Sequence, residues 1–172
     1  HDSHTLSIVL HCIGDFERIS DHAINIMEAA QEMHNKKLTF SPKAEEELKV
    51  FSRAVQDIVE KAYAVFRDQD EKLAQKVEPL EAVVDDLNQE VKKRHIRRLR
   101  NGKCTIELGF ILSDITTSLE RVADHCSNIA VCVTQVRDDT YDTHGYLNSV
   151  KNEDSEIFRG LVLEAEEKYL LP

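Results

Sequence analysis

Between Leu6 and Met33 the apolar residues recur every three or four positions, through Leu6, Val9, Leu10, Ile13, Phe16, Ile19, Ala23, Ile26, Ala30 and Met33. That spacing predicts one long amphipathic helix. The stretch "NKKLTFSP" breaks it, and Ser41 followed by Pro42 reads as a cap and first turn, with Glu45 to Glu47 placed to favour the helix dipole. A second helix is expected from Pro42 to Asp68, burying Leu48, Phe51, Val55, Ile58, Val59, Ala62 and Phe66. "RDQDEK" marks a reversal, and a third helix follows to Arg100, with Pro79 expected to bend it. It ends in basic residues and "NGK", where Gly102 suits a left-handed C′ position. A fourth helix spans about Thr105 to Val136, carrying Ile111, Leu112, Ile115, Leu119, Val122, Cys126, Ile129 and Val133. "RDDTYDTHGYLNS" reads as loop and Glu153 to Tyr169 as a shorter final helix. No segment alternates with period two, so the expected fold class is all-α, an up-and-down helical bundle.

Composition agrees. Of 172 residues, 31% are charged and only five are Gly and three Pro, which favours long helices. A net charge of −10 argues against broad nucleic-acid binding and makes cation binding easier to accommodate. Cys12, Cys104, Cys126 and Cys132 form no C-x-x-C pair, and most sit in apolar helical patterns, so reduced core thiols are expected. No run approaches the roughly 20 apolar residues of a membrane helix, and no signal peptide is read. The opening "HDSHTL" leads us to expect a fragment of something larger. The run "KKRHIRRLRNGK" holds seven of the 22 Lys and Arg residues; it reads either as a helix end meeting its own dipole or as a patch for anionic lipid or a partner.

One pattern occurs twice. "ERISDHAINI" (17–26) and "ERVADHCSNI" (120–129) share six of ten residues at an offset of 103. On a helix, positions four apart stack on one face, so Glu17, Asp21 and Asn25 form one stripe and Glu120, Asp124 and Asn128 another. Stacked like charges destabilise an isolated helix by a few tenths of a kcal/mol, so a repeated arrangement asks for an explanation, although among 32 acids single pairs such as Glu28/Glu32 and Asp86/Glu90 arise by chance.

A third such pair, Glu81 and Asp85, lies on the preceding helix. If the third and fourth helices are antiparallel about the Gly102 turn, Glu81 faces Asp124 and Asp85 faces Glu120. Four carboxylates so placed must share protons, recruit arginines such as Arg18 or Arg121, or bind metal; a solvated acidic face is the plainer alternative. Asn128, and Asn25 by analogy, would ligate or support a ligand from behind. His22 and His125 are turned about 100° from the stripe, and each is expected to donate to a neighbouring helix or to backbone, with direct metal ligation as the alternative.

"FERISDHAINI" and "LERVADHCSNIA" resemble the third-helix signature of the PhoU family, regulators of phosphate uptake built from two three-helix repeats. "VEPLEAVVDDL" and "RHIRRLRNGKCTIELGFILSDI" are most similar to the cytoplasmic C-terminal PhoU-like domain of bacterial sodium-dependent phosphate cotransporters. The resemblance implies metal ligands at Glu81, Asp85, Glu120 and Asp124, and at Glu17 and Asp21 in the other repeat. It implies bound divalent or trivalent metal ions (Fe, Zn, Mn or Mg), with Asn25, Asn128, Arg18 and Arg121 behind them. It divides the chain into 1–34, the last helix of a truncated first repeat; 42–136, a complete three-helix repeat; and 137–172, a loop and helix packing on the bundle.

The function so implied is regulatory: a cytoplasmic, metal-binding module beneath the inner membrane, attached to or acting on a phosphate transport domain. No nucleic acid or small-molecule substrate is expected, and a homodimer is expected to cover the apolar face of the first helix. Two alternatives stand beside it. A di-metal carboxylate enzyme would want a histidine three residues after its glutamate, where this chain has Ser20, Val84 and Ala123. A docking bundle with solvated acids needs no metal. No phosphate-cradling loop or nucleophile elbow is read, so no enzyme activity is expected.

Overall fold

The computed structural model describes residues 2–138 and 156–172, and every regular element among them is helical. The helices are α1 (Asp2–Lys36), α2 (Pro42–Asp68), α3 (Glu71–Ala74), α4 (Val77–Arg100), α5 (Ile106–Asp138) and α6 (Glu156–Lys168). This is the all-α bundle that the apolar spacing predicts. Residues 139–149 of the expected loop and 153–155 of the expected last helix lie outside the described residues, while Arg137 and Asp138 still belong to α5.

Local signals set the helix ends. Ser41 caps α2, its Oγ accepting from the Ala44 N–H at 3.3 Å, with Pro42 in the first turn where no helical donor is required. At the end of α4, Gly102 (φ +67°) donates to the Leu99 carbonyl at 3.0 Å and Lys103 to that of Arg98 at 2.9 Å, a Schellman closure. Pro79 does not bend a helix. The expected third helix is divided in two, the one-turn α3 capped by Asp70 and then α4, and Pro79 falls in the first turn of α4, where its missing N–H costs nothing.

Helix α5 is the centre of the bundle, packing against α1, α2 and α4, while α2 also meets α4. The main core gathers Phe51, Ile58, Val65, Val77, Val84 and Ile129, each essentially inaccessible; a second cluster around Phe40, Val91 and Leu112 fills the end near the α4–α5 turn. Gly109 lets α4 and α5 approach closely, since a Cβ there would stand 3.3 Å from Leu99 Cδ1 and 3.4 Å from His95 Nε2.

The closing segment is held by polar contacts. Helix α6 packs on α4, Tyr169 is buried, and its hydroxyl donates to Asp57 Oδ2 of α2 at 2.7 Å beside Lys168 at 3.1 Å. Burial pushes the Asp57 carboxyl upward, but bonds from Lys61, Tyr169 and Lys168 outweigh it and hold the group below its ordinary value. Tyr169→Phe is therefore expected to cost about 1 kcal/mol in urea denaturation, the usual net worth of one hydrogen bond. A midpoint unchanged from wild type would show that this anchor contributes nothing.

Candidate functional site

The register of α4 against α5 decides whether the carboxylates share a surface. Ser127 Oγ donates to Glu78 Oε2 at 2.5 Å, and farther along Lys92 Nζ donates to Thr117 Oγ1 at 3.3 Å. Glu81 and Asp85 lie between the first and last of these positions on α4, and Glu120 and Asp124 lie between them on α5. All four line one interhelical seam, and all four are half-buried. The antiparallel pairing read from the Gly102 turn also makes Glu78 face Ser127, which is the contact observed.

Within the seam the side chains have protein partners. Asp85 Oδ2 accepts from Gln89 Nε2 at 3.2 Å, and Asp124 Oδ2 stands 3.6 Å from Arg121 Nη1, so that arginine does reach the outer oxygens of the stripe. Among the described residues no three His, Cys, Asp or Glu side chains are gathered so as to hold a metal ion. The seam aligns the four carboxylates without closing them into a ligand set.

Glu17 and Asp21 are placed differently. They are exposed on the outward side of α1, interleaved with the exposed apolar residues Leu6, Leu10, Ile13 and Ile24. Asn25 and Arg18 are exposed as well. The structure therefore does not bring the α1 acidic pair to the α4–α5 seam.

The two copies of the repeated motif do meet, through their histidines. Helix α1 runs antiparallel to α5, burying Cys12 and Ala29 and partly burying Phe16, Ile19 and Ile26. Where the helices cross, the His22 and His125 rings stack at 5.6 Å between centroids with 23° between planes. His125 Nδ1 lies 2.8 Å from Asp15 Oδ1 of α1, the bond to a neighbouring helix expected of it. Asn128 Nδ2 donates to the same oxygen at 3.4 Å, which turns this amide towards α1. His22 Nδ1 is buried without a hydrogen-bond partner among the described residues. Burial and the neighbouring His125, Arg121 and Arg18 depress the His22 pKa, against a weaker upward pull from Asp21. The four cysteines are free, with Cys12 and Cys126 buried, as core thiols should be.

Three contributors escape a reading based on the repeated motif. Glu78 is buried on the same seam, at the helical spacing of Glu81 and Asp85, and that spacing could have found it. Asp15 lies on the stripe of Cys12, Phe16 and Ile19, where an acid among apolar positions is itself a signal. Glu47, expected to serve the dipole of α2, instead lies on the buried stripe of Ala44, Phe51 and Ala54 and takes both Nη groups of Arg98, at 3.0 and 2.8 Å. Arg94 joins it at 3.4 Å and donates to the Pro172 carbonyl at 2.6 Å.

Comparison with known proteins accords with this helical architecture. Residues 48–133, half of the chain, match the PhoU domain. Over 121 residues the chain is 29% identical to the phosphate-specific transport system accessory protein PhoU homolog 1 of Thermotoga maritima. That alignment covers 70% of this chain but 51% of the relative, so the chain spans about half the length of the curated relative it matches. No solved structure matches the chain. The domain match, which takes in α4 and most of α2 and α5, makes this chain a member of the PhoU family.

Proposed function

We propose that this chain is a regulatory module of a phosphate transport system that responds to metal ions through the α4–α5 seam. The observation that carries the reading is the alignment of Glu81, Asp85, Glu120 and Asp124 between the Glu78–Ser127 and Lys92–Thr117 contacts. Their oxygens are the donor chemistry for a hard or borderline cation such as Mg, Mn, Fe or Zn. A bound cation would supply the positive charge that the aligned carboxylates lack, tying α4 to α5 and fixing the surface offered to a partner. Ligation requires side-chain rotation, since the four groups are not gathered as they stand. In this reading 42–136 is one complete repeat and α1 is the last helix of another, with Glu17 and Asp21 as its half of a second site.

The partner we propose is a membrane transport domain, of the same polypeptide or of its complex, and by sequence likeness a sodium-dependent phosphate cotransporter. The module would then lie at the cytoplasmic face of the membrane and control flux by conformation rather than by catalysis. The Thermotoga relative, an accessory protein of phosphate-specific transport, supports the phosphate-transport part of this reading. Exposed Leu6, Leu10, Ile13, Ile24 and Met27 on α1 favour a further contact, for which a second copy of the chain is our choice.

Metal-linked stability tests the proposal. At a metal concentration ten times Kd, stabilisation of about 1.4 kcal/mol is expected. It should disappear in the Glu120→Ala/Asp124→Ala double variant, with elemental analysis of chelator-free protein giving the stoichiometry. A wild-type protein that neither retains metal nor gains stability from Mg, Mn, Fe or Zn would reduce the seam to a solvated acidic face and leave a docking bundle.

A further inference from the structure

The geometry points to the α4–α5 hairpin tip as a contact site for an anionic phospholipid surface. Part of the basic run that precedes the turn is used internally, Arg94 and Arg98 being committed to Glu47. Arg97, Arg100 and Lys103 are exposed and make no ion pair among the described residues. Around them stand large apolar side chains that the bundle leaves uncovered: Ile106 is 73% exposed, Phe110 69% and Ile96 49%.

All six lie at the hairpin tip, with Lys103 on the flank where it borders a cleft with Phe40, His95, Arg98 and Leu108. Ile106 and Phe110 are one turn apart on the outer face of α5, opposite the buried positions Leu108, Ile111 and Leu112. Ile96 and Arg100 are likewise one turn apart on α4. Where Gly109 brings the helices into close contact with Leu99 and His95, the antiparallel register puts Ile96 beside Phe110. Of the acids around the tip, Glu107 is held by Lys36 at 2.6 Å and Glu90 by Arg94 at 3.1 Å and Lys93 at 3.6 Å, with Arg97 adding to the field on Glu90, while Asp114 lies one turn beyond Phe110.

Charge chooses the occupant. The chain carries a net charge of −10, so a surface of negative headgroups repels the molecule as a whole and attracts it at a cationic end such as this one. Guanidinium and ammonium groups meet lipid phosphates while neighbouring Ile and Phe enter the acyl boundary, the pairing that interfacial segments use. A hairpin end presents such groups to a plane. The inference stands on these side chains alone and does not depend on the metal seam or on the identity of a transporter.

The experiment is co-sedimentation with vesicles of phosphatidylcholine containing about one-third phosphatidylglycerol, at roughly 0.1 M salt, beside vesicles of phosphatidylcholine only. Wild type is expected to bind the anionic vesicles alone. Arg97→Gln/Arg100→Gln/Lys103→Gln should weaken partition at least tenfold, since each basic group near such a surface is worth about fivefold. Ile106→Ser/Phe110→Ser should weaken it as well, whereas Leu10→Ser/Met27→Ser, on the apolar face of α1, should not. All these changes are at exposed positions, and unfolding midpoints matched to wild type confirm that each variant folds.

The chain contains no Trp, so Phe110→Trp provides a single reporter whose emission should shift to the blue on anionic vesicles. Absence of binding by wild type, equal binding by the three-charge variant, or an unshifted Phe110→Trp signal would overturn the proposal and assign the tip to a protein partner.

Discussion

Replacing Glu47 with Ala is expected to destabilise the folded chain by about 3–5 kcal/mol, the range for a buried ion pair stripped of one partner. Glu47 retains only 3% of its side-chain exposure, and Arg98 and Arg94 retain 15% and 26%. The carboxylate takes the Arg98 fork in two bonds, and Arg98 Nε is buried with no partner among the described residues, so little else there compensates that cation. Truncation would leave two guanidinium groups facing a cavity at the α2–α4 interface. Arg94 would also loosen its hold on the Pro172 carbonyl, coupling the site to the end of the chain.

The comparison that isolates the charge effect is Glu47→Leu combined with Arg98→Leu. An apolar pair of similar volume often matches or exceeds a buried ion pair, so the double variant should recover a large part of the loss. Urea denaturation of both single variants and the double variant gives the coupling energy. A cost below about 1 kcal/mol for Glu47→Ala would place the pair with exposed salt bridges and refute its structural role.

This pair also shows where the sequence was readable and where it was not. Apolar periodicity predicted the helices because burial follows a 3.6-residue period, and the predicted core of α5, from Ile111 to Val133, is buried almost throughout. Glu47 was misread because a glutamate soon after a cap has an ordinary explanation in the dipole, and its true partners lie about fifty residues away on another helix. Along α1 the periodic residues fall on two faces. One packs on α5 through Phe16, Ile19 and Ile26, and the other leaves Leu6, Leu10 and Ile13 exposed. Period alone records that a helix has apolar surface; it does not record which part of that surface finds a neighbour.

The carboxylate seam was more accessible to reasoning. An antiparallel pair about a short turn has one register, and Gly102 located the turn. Side-chain direction within the seam was beyond reach, because a rotamer responds to neighbours such as Gln89 and Arg121 that the motif does not specify. The meeting of His22 with His125 was legible only in outline. The repeat announced two equivalent helices, and their crossing at the repeated histidines is a tertiary event.

Acidification from about pH 7 to 5 is expected to weaken the α1–α5 crossing, and the sign follows from His22. Its imidazole has a lowered pKa in the folded protein because burial, His125, Arg121 and Arg18 oppose a positive charge there more than Asp21 favours it. The unfolded chain, with an ordinary value of about 6.5, takes up the proton first. Stability is therefore full above that value and declines as pH falls through it towards the folded value. His95 adds to the same slope, since burial and Arg98 lower its pKa against the pull of Glu47. His22→Gln should flatten the decline in part, leaving the His95 share. Asp15→Ala removes the carboxylate that accepts from His125 and Asn128, and should cost about 1.5–3 kcal/mol at neutral pH, as for hydrogen bonds to a charged group. Urea midpoints at several pH values read both effects. A His22→Gln profile parallel to wild type would show that His22 does not sense protons in this range, and an Asp15→Ala midpoint equal to wild type would show that the crossing is held by its apolar residues alone.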